Sequence, residues 1–212
     1  LFILQNGTLH MSEEKKIKIL MLGDHPMAPS GVGTQLKYIC KSLLNTGRFQ
    51  ILNLGGAIKH QAYEPQTVKP EQDENWKEGD WTIYPVDGYG DHAMIRSVLW
   101  TQKPDILLFM TDPRFYGWLW QIENEIRAQI PMVYYHVWDN YPPPKYNRPW
   151  YESTDVIASI SKVTYDIVNT VSPDTENHYI PHAVDPDIFK KEPAENVLIF
   201  KEEHLKENSD KV

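Results

Sequence analysis

Apolar runs of strand length alternate along this chain with stretches whose apolar positions recur every three to four residues. That is the pattern of βα units building a parallel sheet covered on both faces. Seven runs read as strands, over 17–23, 49–54, 81–86, 105–110, 132–138, 156–160 and 177–180. Leu36, Ile39, Cys40, Leu43 and Leu44 line one face of a predicted helix over 34–45, and Gly47 suits the left-handed residue after its end. Asp91 predicts an N-cap for a helix carrying Met94, Ile95, Val98 and Leu99, ending before Pro104. Asp112-Pro113 is a cap followed by proline at the first helical position, with Trp118, Leu119, Ile122 and Ile126 as the stripe beyond. Trp118 and Trp120 cannot share a helical face, so one is expected in the core and the other on a loop or groove. Ser161 predicts a cap for a helix with Val163, Ile167, Val168 and Val171 inward, and a short helix is expected near 148–153.

Three stretches break the alternation. Residues 57–80 turn polar, with Pro65, Pro70 and an acidic cluster, and read as an excursion outside the core. Residues 139–155 form an aromatic, proline-rich loop of the kind that binds something. Beyond Pro181 the periodicity ends, and residues 190–212 hold one apolar island at 197–200. The expected organisation is a disordered or non-native leader over 1–15, with translation beginning at Met11, then one domain over 16–189 and a hinge over 190–212.

The 212 residues, 41% hydrophobic and 24% charged, describe a globular chain. Its net charge of −8 opposes a nucleic-acid backbone and an anionic leaflet, so no nucleic-acid partner and no stable membrane attachment are expected. No run reaches the roughly 18 to 20 apolar residues that span a bilayer. The lone Cys40 on an apolar helical face reads as a buried thiol, and a reducing, cytoplasmic setting is expected.

Candidate chemistry gathers at the strand ends. In Ser30-Gly31-Val32-Gly33-Thr34, glycines either let backbone N–H groups approach an anion at a helix start or simply form a tight turn. The dinucleotide fingerprint fails, because the first of these glycines lies eight residues past Gly23, position 36 is Leu and no acidic residue ends the second strand. The Gly-Lys-Ser/Thr of a P-loop is missing too. His136, at the carboxyl end of a predicted strand, is either catalytic or a hydrogen-bonded core histidine. Asp185-Pro186-Asp187 reads as a capped turn rather than a metal-binding pair, and His136 with Asp139, or His182 with Asp185, makes only a two-residue grouping. No metal is expected.

Taken in order, Ser30-Gly31-Val32-Gly33, Tyr134-Tyr135-His136-Val137-Trp138-Asp139, Ile160-Ser161-Lys162-Val163-Thr164 and the terminal Ile180-Pro181-His182-Ala183-Val184-Asp185-Pro186-Asp187-Ile188-Phe189 resemble the N-terminal half of a family 4 retaining glycosyltransferase of the GT-B fold. The resemblance covers about residues 16–190 and implies a Rossmann-like parallel sheet of about seven strands with helices on both faces. It implies that the chain is the acceptor-side domain of a two-domain enzyme, without the donor-binding domain and its paired glutamates. That enzyme would use a nucleotide sugar, an unidentified saccharide, lipid or protein acceptor, and no cofactor. Gly31, Val32 and Gly33 would approach the donor diphosphate, His136 would contact the transferring sugar, and Asp139 and His182 would line the acceptor side of the cleft. His182-Ala183 stands where the family has Asn-Gly, which weakens the carry-over at the hinge. The competing readings are a non-catalytic binding module or one subunit of a split transferase, with a dehydrogenase a distant third.

Overall fold

The computed structural model describes residues 2–5, 8–11 and 15–208. All seven expected strands form and run parallel in one sheet. They are β3 (Ile17–Asp24), β4 (Phe49–Gly56), β6 (Trp81–Pro85), β7 (Ile106–Thr111), β8 (Met132–His136), β9 (Val156–Ser159) and β10 (Asn177–Tyr179). An eighth, β5 (Gln66–Thr67), lies antiparallel on β6, and the order across the sheet is β10-β9-β8-β7-β3-β4-β6-β5. A separate antiparallel pair, β1 (Phe2–Gln5) and β2 (Thr8–Met11), forms its own sheet. The protein is thus α/β, with a mostly parallel, Rossmann-like sheet flanked by helices.

β3 is the pivot. Its Ile19 is level with Ile51 of β4 on one side and Ile106 of β7 on the other. Alternate side chains of β3 feed two cores, as two-faced burial requires. Leu20 and Leu22 join Ile95, Phe109, Tyr116 and Tyr134 on one face, while Ile19 and Met21 join Leu36, Cys40, Leu44 and Trp81 on the other. From β3 the chain builds outward through β4 and β6, then returns to lay β7 against the other edge of β3. The carboxyl ends of β3 and β7 therefore flank the point where strand order reverses, and there an open α/β sheet leaves a crevice.

The helices carry the expected caps. Asp91 accepts from the Met94 amide at the start of α2 (His92–Gln102), and Ser161 accepts from the Thr164 amide at the start of α6 (Lys162–Val171). Asp112 caps a 3₁₀ turn over Pro113–Tyr116, followed by α3 (Gly117–Trp120) and α4 (Glu123–Arg127) in place of one continuous helix. Trp120 is the core tryptophan of its pair, and Trp118 lies against His92 at the margin. The short helix α5 spans Arg148–Glu152.

Two expectations need correction. The first helix, α1 (Gly31–Asn45), starts three residues before the predicted Thr34, because Ser30 caps it and draws the glycines into its first turn. Nor does the polar stretch 57–80 stay outside the core. Its Trp76 is 4% exposed and packs edge-on against Trp81 at 6.0 Å, while β5 covers the outer edge of β6.

The described residues divide into two compact units at Pro181/His182. In the second, the Asp185 carboxylate accepts from the Asp187 amide, closing a capped turn. There α7 (Ala194–Phe200) exposes Val197, Leu198, Ile199 and Phe200.

Trp76→Ala is expected to destabilise the protein by about 3–5 kcal/mol, the cost of deleting a buried tryptophan. Urea unfolding followed by circular dichroism measures it, and a loss of only a few tenths of a kcal/mol would return 57–80 to the status of a passive loop.

Candidate functional site

Four elements meet at the crevice: the ends of β3, β7 and β8, and the first turn of α1. The apolar run of β3 ends in Asp24, whose side chain is nearly buried. Its Oδ2 accepts from Ser30 Oγ at 2.5 Å and its Oδ1 from the Tyr89 hydroxyl at 3.0 Å. Since the single Ser30 proton goes to Asp24, the serine oxygen is left to accept from the Gly33 amide at 3.0 Å. Burial, with the Asp24 charge second, pushes the Tyr89 phenol up to about 12, against an opposing pull from the Thr111 hydroxyl. The crevice floor is thus a chain of bonds from Tyr89 through Asp24 and Ser30 into α1.

The three glycine-turn residues differ in their requirements. A Cβ on Gly33 would sit 2.7 Å from the His25 carbonyl oxygen and 3.1 Å from that of Ala28, so the fold itself demands glycine there. A Cβ on Gly31 would meet nothing within 4 Å. The amides of Gly31 and Val32 open the helix without intrahelical partners, as first-turn amides must, whereas that of Gly33 is taken by Ser30.

Thr111 ends β7 at φ 156°, a costly backbone conformation for a β-branched residue, and its carbonyl accepts from the Tyr134 hydroxyl at 2.6 Å. Asp112 follows, held by Arg114 through two bonds of 2.8 and 2.7 Å. Burial pulls the Asp112 pKa up, but the Arg114 guanidinium and amide outweigh it and hold the carboxyl below its usual range.

His136, at the end of β8 and level with Thr111, is fully buried. Its Nε2 lies 2.8 Å from the Tyr151 hydroxyl, which also accepts from Asn147 Nδ2 at 3.2 Å, and its Nδ1 has no partner. Burial lowers its pKa to about 3 against a weaker opposing pull from Asp112, so the ring is neutral at pH 7. Beyond it, Trp138, Asp139, Asn140 and Tyr146 join Asp112 and Arg114 around a pocket of about 210 Å³. Asp139 therefore faces the crevice side of the sheet, as does the glycine turn. His182 belongs to the second unit.

Sequence reading missed Asp24, Tyr89, Thr111 and Arg114. Asp24 was the only one with a local signal, being a charge closing an apolar strand. Among the described residues, no three His, Cys, Asp or Glu side chains gather as a metal site, and no helix is long and apolar enough to cross a membrane. No family model and no curated protein matches the chain.

Two outcomes follow for this site. Gly33→Val is expected to cost about 1–3 kcal/mol through overpacking, while Gly31→Ala should be neutral or gain a few tenths of a kcal/mol, with guanidinium unfolding as the measure. Equal effects would show that the turn does not pack as described. His136 takes up a proton in the unfolded chain near pH 6.5 but in the folded one only near pH 3. Between those values the unfolded state binds more protons, so stability falls on acidification from pH 6.5, by at most about 1.4 kcal/mol per pH unit from this group. His136→Gln should flatten that part of the stability–pH curve, and an unchanged slope would mean that the imidazole titrates normally.

Proposed function

We propose that the chain is the acceptor-side domain of a retaining glycosyltransferase. Such an enzyme moves a sugar from a nucleoside-diphosphate sugar to an acceptor, with the crevice between β3 and β7 as this chain's share of the active site. The observation that carries the reading is the α1 first turn. Its Gly31 is not required by packing, and two open amides stand at the switch point of the sheet, where an approaching diphosphate meets N–H donors and the positive helix end. The motif order that resembles family 4 transferases supplies the reaction class.

In this reading Gly31 and Val32 hold the diphosphate through their amides, and Ser30, locked by Asp24, keeps the turn in register. Asp139 accepts a hydrogen bond from an acceptor hydroxyl. His136 serves as a neutral wall that fixes the end of β8 through Tyr151. Retaining transfer on one face of the sugar, with the departing phosphate assisting the acceptor's deprotonation, asks for no general base from this chain, which suits an imidazole that stays neutral. Metal-independent chemistry and a cytoplasmic setting belong to the same proposal.

A second reading, a binding module without catalysis, is favoured by the burial of His136, which puts its ring out of a ligand's reach.

The deciding measurement is a ¹H–¹⁵N correlation spectrum of the chain titrated with UDP and with GDP to millimolar concentration. Saturable shifts at the Gly31 and Val32 amides are expected, and Gly33→Val should weaken them about tenfold or more, as displacement of backbone donors from a charged ligand does. Spectra unmoved by either nucleotide would overturn the reading.

A further inference from the structure

The pocket beyond the ends of β7 and β8 offers chemistry that a diphosphate does not use. It encloses about 210 Å³ between the 3₁₀ turn after β7 and the aromatic loop after β8. Asp112 and Arg114 largely neutralise each other through their paired bonds. The Asp139 carboxylate, the Asn140 carboxamide and the Tyr146 hydroxyl make no hydrogen bond with the described residues. The Trp138 indole N–H is occupied by the Asn140 carbonyl at 3.0 Å, which fixes the turn that presents Asp139. Tyr146 meets Trp138 edge-on at 6.2 Å and is 67% exposed, so a face of its ring stays open beside the pocket.

This lining selects among ligand classes. One carboxylate is left uncompensated, so an anion is repelled. An acyl chain would bury the open carboxylate and carboxamide without partners, at a cost of a few kcal/mol. A neutral ring rich in hydroxyls satisfies both, since its O–H groups donate to Asp139 and exchange bonds with Asn140, while its C–H face rests on the Tyr146 ring.

We propose that this pocket receives a neutral saccharide, the acceptor, with Asp139 and Asn140 reading its hydroxyls and Tyr146 covering its apolar face. The assignment names the acceptor class for the transferase reading above and rests on it for the word acceptor. The binding itself is independent of the donor side.

The test uses the same correlation spectra, with glucose, mannose, galactose and N-acetylglucosamine added singly and inorganic phosphate as the opposing probe. The readouts are the Trp138 indole N–H and the Asn140 side-chain amide. Saturable shifts with at least one sugar are expected, weakened about tenfold by Asp139→Asn or Tyr146→Ala and unmatched by phosphate. Both positions are exposed, so these variants fold. Signals that no sugar moves, shifts that survive both substitutions, or a stronger response to phosphate would each overturn the proposal. The Gly31 and Val32 amides report separately on nucleotide binding, so failure of the saccharide site and failure of the donor reading leave different spectra.

Discussion

Burial of β3 on both faces is the constraint from which the rest of this structure follows. A strand with apolar cores above and below, and hydrogen-bonded neighbours on both sides, has no room for a functional group along its length. Every polar side chain it contributes must come from an end. β3 delivers Asp24 there, and its neighbour β7 delivers Thr111 and Asp112 to the same edge. Because the chain changes direction between building β4 and building β7, no direct connection runs between these two ends, and the chemistry collects in the gap.

Asp24 turns that gap into a defined surface. A carboxylate accepts and does not donate, so both neighbouring hydroxyls must point their protons inward. The orientation of Ser30, and with it the start of α1, is set by that one charge. The same charge beside the helix start places a negative group next to the amides proposed to hold a phosphate. The turn therefore offers donors without a strong net positive field, which favours a ligand recognised by geometry over one drawn in by charge alone.

The elements legible in the sequence were those decided locally. The inner parallel strands are apolar runs bounded by turn residues, and Asp91, Asp112 and Ser161 announced their caps within three residues of the amides they bind. What escaped depended on distant partners. Ser30 was read as part of a loop because its cap role depends on an orientation fixed by Asp24. Tyr89 reaches Asp24 across 65 positions of chain. Trp76 sits in a stretch whose composition is that of solvent-facing loop, yet one aromatic residue there was enough to anchor it against Trp81. For His136, periodicity placed it correctly at a strand end. Whether it faced ligand or protein turned on Tyr151, which the short helix α5 brings in from beyond the proline-rich loop.

The outer strands of the sheet bear on how this protein behaves among its own copies. One edge is β5, two residues long and antiparallel to its neighbour, and the other is β10, three residues long. A sheet grows by adding strands to an unpaired ladder, and ladders this short offer an incoming chain few bonds and no register to lock onto. The brief detour through Gln66 and Thr67, inconspicuous in the sequence, thereby caps the longer β6 and discourages edge-to-edge aggregation at high concentration.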